Sequence, residues 1–87
     1  MAWLAGKRRL EALHLDRPEV ADISPLAGLT ALIELDLDYT NVADIAALSA
    51  MRELRELDLA YTKVANLAPL AGLVKMRQLM LDGAPVR

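Results

Sequence analysis

One 22-residue register constrains this chain more than any other feature. Leu10, Leu32, Leu54 and Met76 stand 22 residues apart, as do Leu13, Leu35, Leu57 and Leu79. Leu15, Leu37, Leu59 and Leu81 keep the same spacing, and so do Val20, Val42, Val64 and Val86. The second half of the unit repeats as Ile23, Ile45 and Leu67, then Leu26, Leu48 and Leu70, then Leu29, Met51 and Leu73. Seven aliphatic columns held over three to four copies define a repeat architecture, in which each unit buries its apolar face against the next.

The spacing inside the unit assigns local structure. Leu13 and Leu15 flank His14, and Leu35 and Leu37 flank Asp36. This period of two is a strand with one buried face. Strands are expected over Ala12–Leu15, Glu34–Leu37, Glu56–Leu59 and Gln78–Leu81. Each is too short to stand alone, so copies must pair side by side in parallel. Asp22–Leu29, Asp44–Met51 and Asn66–Leu73 carry aliphatic residues at every third position instead, which fits a 3₁₀ turn or short helix on the opposite side of the coil. Asp22, Asp44 and Asn66 stand where a cap is expected. Pro25 and Pro69 fall in the first turn, where a missing N–H costs little. Gly28 and Gly72 fall at its end, where a left-handed residue is expected.

The runs Leu10-x-x-Leu13-x-Leu15, Leu32-x-x-Leu35-x-Leu37 and Leu54-x-x-Leu57-x-Leu59 resemble leucine-rich repeats. The unit length and the run from Asp22 to Leu29 are similar to the repeats of bacterial internalins. The resemblance implies an α/β repeat fold: a right-handed leucine-rich-repeat solenoid, with a short parallel sheet on a concave face and 3₁₀ or short helical turns on a convex one. It also implies that the concave wall binds protein. One departure concerns the position after the strand, usually Asn in this family, where the side chain bonds neighbouring backbone. Here it holds Pro18, Thr40, Thr62 and Ala84. Threonine replaces that bonding in part, proline and alanine not at all, so the outer copies are expected to be looser than the inner two.

Residues 1–87 are expected to form a single repeat domain, with a partial repeat over 1–9, full repeats over 10–31, 32–53 and 54–75, and a partial repeat over 76–87. Shifted by one unit, Leu4-Ala5-Gly6 matches Leu26-Ala27-Gly28, with Trp3 in place of Pro25 and Lys7 in place of Leu29. No dedicated polar cap is recognisable, although solenoid ends need one. Two explanations stay open: the chain is a piece of a longer array, or its open ends pair with another copy.

Composition narrows the function. At 87 residues with a net charge of −2, the chain lacks the basic excess that binding many phosphates requires. Its three aromatic residues, Trp3, Tyr39 and Tyr61, give no stacking platform for single strands. It has no cysteine, hence neither disulfides nor a thiolate metal site. No apolar run approaches the ~20 residues of a membrane span, and the first residues do not follow the signal-peptide pattern. A cytoplasmic location is expected, with neither nucleic acid nor membrane as partner.

Side chains between the leucines should share one wall. Eight of the chain's twelve acids lie on it (Glu11, Asp16, Glu34, Asp36, Asp38, Glu56, Asp58 and Asp82), against three of its ten basic residues, Arg17, Arg55 and Arg77. Adjacent strands lie about 4.8 Å apart, so Asp36 beside Asp58 and Glu34 beside Glu56 juxtapose like charges, a mildly unfavourable arrangement. Either these acids are simply solvated or a basic partner neutralises them. Tyr39 and Tyr61 share a column at the strip's edge. They either pack over each other and over Thr40 and Thr62, or contact a partner, and the nearby acids then favour a lysine- or arginine-bearing ligand with a cation–π component.

Sharper chemistries find less support. His14 lies one strand from Asp36, the makings of an oriented base, but no nucleophile shares the wall, since Ser24 and Ser49 fall on the far side. Asp36, Asp38 and Asp58 offer a flat sheet's few oxygens where calcium takes six to eight. No enzyme activity, metal or cofactor is expected. The expected function is a protein- or peptide-binding module using an acidic concave strip of His14, Glu34, Asp36, Asp38, Tyr39, Glu56, Asp58 and Tyr61, with a partner that presents a basic surface. The alternatives are a structural segment that self-associates through its open ends, and a sensor or scaffold part of a larger bacterial protein.

Overall fold

The computed structural model describes residues 8–86. The match of Trp3 to Gly6 with a half repeat, and the replacement at Lys7, lie outside them. Strands β1 (Ala12–His14), β2 (Glu34–Asp36), β3 (Glu56–Asp58) and β4 (Gln78–Met80) alternate with 3₁₀ turns at Ser24–Leu26, Ala46–Ala50 and Ala68–Leu70. The four strands form one parallel sheet in chain order. Ala12, Glu34, Glu56 and Gln78 align across it, as do Leu13, Leu35, Leu57 and Leu79, and then His14, Asp36, Asp58 and Met80. Strand starts agree with the sequence pattern, and each strand ends one residue earlier than expected. Among the described residues no helix is long and apolar enough to cross a membrane.

The coil closes because the two periodicities aim at one core. In the turns, the N–H of Leu48 donates to the Ile45 carbonyl (2.9 Å) and the N–H of Met51 to that of Leu48 (3.0 Å). These three-residue steps eclipse side chains, so Ile45, Leu48 and Met51 all point inward and meet Leu35 and Leu37 from the sheet. Leu32, Leu54, Leu57, Leu59, Val42 and Val64 complete the spine at 1% exposure or less. Each buried leucine contributes about 1.5–3 kcal/mol, which lets so thin a core hold without phenylalanine.

Three local expectations are refined. Asp22, Asp44 and Asn66 do satisfy the turn starts, but by accepting the N–H two residues on, from Ser24, Ala46 and Ala68 (2.9 Å each). They form Asx turns, while the residue just before each turn makes no side-chain bond. Gly28 and Gly72 are not left-handed: among the described residues positive φ belongs to Tyr39, Tyr61 and Gly83. The outermost described coils expose more of their aliphatic columns, as end coils do whatever residue follows the strand. Leu79 is 37% exposed where its equivalent Leu57 is at 1%, and Leu15 and Leu81 are only partly buried.

Candidate functional site

The strands place His14, Glu34, Asp36, Glu56 and Asp58 on the sheet face, because Leu13, Leu35 and Leu57 between them turn inward. Asp38, Tyr39 and Tyr61 follow on the connecting turns. Those turns are built by the acids themselves: Asp36 Oδ1 accepts the N–H of Asp38 (3.0 Å), and Asp58 Oδ1 accepts that of Ala60 (2.9 Å). Just beyond, the Thr40 hydroxyl donates to the Leu37 carbonyl (2.7 Å) and the Thr62 hydroxyl to that of Leu59 (2.8 Å). Asn41 supplies bonding not expected from sequence, its amide donating to the Pro18 carbonyl of the preceding coil (2.6 Å).

Between these clamps Tyr39 and Tyr61 adopt left-handed backbone, with φ of 60° and 57°. That conformation costs a residue with a Cβ about 1–2 kcal/mol, and here the flanking Asp and Thr bonds impose it. Gly83 ends the same column at φ 73°. The two rings stack with centroids 4.9 Å apart and planes 12° from parallel, yet each stays more than half exposed. Tyr61 also covers Gly83 so closely that a methyl group there would stand 2.5 Å from the Tyr61 Cδ1. Sequence reasoning missed both the left-handed column and the role of Gly83. The signal was present in the glycine that shares the tyrosines' column and in the Asp-x-x-x-Thr spacing around each tyrosine.

The acids form a local cluster. Oxygens of Asp36, Asp38 and Asp58 lie within 4.8 Å of one another. Asp38 Oδ1 is buried without a hydrogen-bond partner among the described residues. When protonated the Asp38 carboxyl can donate to Asp36, and that hydrogen bond, burial, and the negative field of Asp36, Asp58 and Asp16 push its pKa up to about 6. Below about pH 6 the cluster relieves its crowding by holding a proton, and at neutral pH, with Asp38 mostly ionised, the crowding remains. His14 aligns with Asp36 in the sheet, but its imidazole turns to the Glu34 carboxylate instead. That hydrogen bond, with the acids around it, raises the His14 pKa above the ordinary 6.5.

No family model matches the chain, nor does any curated protein. Among solved structures it is similar to the internalin InlF of Listeria monocytogenes, at 40% identity and a TM-score of 0.81, over 84% of this chain and 22% of that one. It is also similar to the internalin C2 of the same species, at 28% identity and a TM-score of 0.65, over 93% of this chain and 46% of that one. The chain therefore spans about a fifth of the first and under half of the second. The parallel sheet, the 3₁₀ turns and this likeness make it a leucine-rich-repeat solenoid. Its 22-residue repeats are of the internalin-like type.

Proposed function

We propose that this repeat module binds a protein or peptide on its sheet face, and that the bound segment is basic. The supporting observation is the alignment of Glu34 with Glu56 and of Asp36 with Asp58 on adjacent strands, beside a tyrosine stack that stays exposed. Stacked like charges raise the energy of the free face, and a cationic segment lowers it. Tyrosine adds rigid, amphipathic contact area of the kind found at binding hot spots. Among the described residues the His14 imidazole pairs with the Glu34 carboxylate and with no nucleophile, so binding rather than catalysis is the activity this surface fits.

The test is titration of a fluorescent tetralysine peptide against the chain and against the double variant Asp36→Asn, Asp58→Asn. Asparagine keeps the oxygen that accepts the turn N–H and removes the charge. Binding should weaken by about tenfold, two surface pairs of ~0.7 kcal/mol each, while the melting temperature is no lower than the parent's, since the variant also relieves the like-charge crowding. Undiminished binding in the variant would sink the proposal.

A second reading rests on the C-terminal end, where Leu79 is 37% and Met80 41% exposed and β4 pairs on one side only among the described residues. Copies stacking head to tail would cover it. Sedimentation at rising concentration decides: a strict monomer throughout removes this reading.

A further inference from the structure

The sheet face is not uniformly acidic. Arg55 and Arg77, equivalent residues of neighbouring coils, sit just ahead of β3 and β4, and among the described residues neither forms an ion pair. With Ile33, Glu56 and Gln78 they line a shallow hollow of about 370 Å³. A second hollow of about 90 Å³, bounded by Glu34, Asp36, Glu56, Asp58, Gln78 and Met80, adjoins it. Glu56 and Gln78 line both, so the two make one trough along the strands. It is cationic where the chain enters the sheet and anionic where it leaves.

The carbonyls at the cationic end fix this layout. The Ile33 carbonyl accepts both Arg55 N–H (2.8 Å) and Glu56 N–H (3.0 Å), and the Arg55 carbonyl accepts both Arg77 N–H (2.7 Å) and Gln78 N–H (3.0 Å). The paired acceptors pin Arg55 and Arg77 in register one coil apart, about 4.8 Å at strand spacing. Two like-charged columns thus face solvent at opposite ends of the trough. A uniformly basic segment relieves the acidic column but adds repulsion at the arginines.

We infer that the trough selects an extended peptide of two signs, with an acidic side chain opposite Arg55 and Arg77 and a basic one opposite Asp36 and Asp58. Arg55 and Asp58 are three residues apart in sequence, about 10 Å along the strand, and an extended partner in polyproline-II conformation, with three residues per turn at about 3.1 Å each, sets two charges about that far apart on one face. This inference rests on the sheet face being the binding surface, and it adds a polarity to the occupant.

The test compares two labelled peptides of one length, each with two lysines three residues from a pair of glutamates or, in the control, glutamines. The glutamate peptide should bind the intact chain about three- to fivefold tighter, the scale of an added exposed charge pair or two. The variant Arg55→Gln, Arg77→Gln should bind both peptides equally. Binding of the glutamine peptide that is as tight as that of the glutamate peptide overturns this inference and leaves the basic-segment reading standing. So does a glutamate preference that survives in the double variant. Failure of both peptides and of tetralysine to bind overturns both.

Discussion

Asp38 should destabilise the folded chain at neutral pH, and replacing it with asparagine should show by how much. In the fold its carboxyl titrates near 6 rather than 3.8, chiefly through the hydrogen bond to Asp36, then through burial and the neighbouring acids. A raised folded pKa means that the folded state holds the proton more tightly than the unfolded one. Stability from this group is therefore highest at low pH, falls as pH rises from about 4 to 6, and is flat above. At about 1.4 kcal/mol per pH unit the span comes to ~3 kcal/mol, and solvent screening of this part-buried group reduces it to ~1–2 kcal/mol. Asp38→Asn removes the charge and supplies a permanent donor to Asp36, while the backbone N–H that Asp36 accepts is untouched. Urea unfolding at pH 8 should show the variant ~1–2 kcal/mol more stable than the parent, or about 4–16 °C in Tm for a domain this small. At pH 4 the two should nearly coincide. The comparison between chains matters because Asp22 and Glu53, whose carboxyls are lowered by the Ser24 N–H and by Lys75, tilt the parent's own profile the other way. A variant no more stable than the parent at pH 8, or a gain equal at both pH values, refutes the reasoning.

Other expectations concern the core, the histidine and the tyrosine column. Leu59→Ala, at a fully buried position, should cost ~2–5 kcal/mol in urea unfolding, whereas Leu79→Ala on the open end should cost under ~1 kcal/mol because water already reaches the side chain. The His14 imidazole should titrate above 6.5 by NMR, and Glu34→Gln should bring it down, since the Glu34 hydrogen bond is the first cause of its rise. Gly83→Ala should lower stability by ~1 kcal/mol or more, because alanine is strained at positive φ, and should shift the ring resonances of both Tyr61 and Tyr39. Unchanged ring shifts would mean that the stack does not lean on Gly83.

The sequence disclosed the spine almost completely, because burial repeats at 22 residues and each column has one environment. The 22-residue spacing alone aligns Leu13, Leu35, Leu57 and Leu79, and the sheet aligns them the same way. What stayed hidden lies in the segment after each strand, where backbone conformation depends on side-chain hydrogen bonds rather than on hydropathy. Gly28 and Gly72 looked like left-handed positions by analogy with helix ends. The turns there close in right-handed geometry through Ala27 and Ala71, and a side chain at either glycine would meet nothing. Asn41 escaped notice because its bond reaches 23 residues back, to Pro18. It ties the first coil to the second where the expected asparagine position holds proline and threonine.

The aspartates of the strip show why charge alone misjudges such a face. Asp36 and Asp58 each serve two ends: one oxygen fixes the turn that holds the next tyrosine left-handed, and the charge faces the neighbouring coil. Aspartate thus couples the electrostatics of the strip to the position of the rings. Substitution by lysine would remove both at once and would misreport a displaced tyrosine as a lost ion pair. Asparagine separates them, because the amide oxygen still accepts the N–H. A stack that survives in Asp36→Asn, Asp58→Asn while peptide binding falls assigns the binding to charge. A stack that separates means instead that the carboxylates are needed to hold the turn.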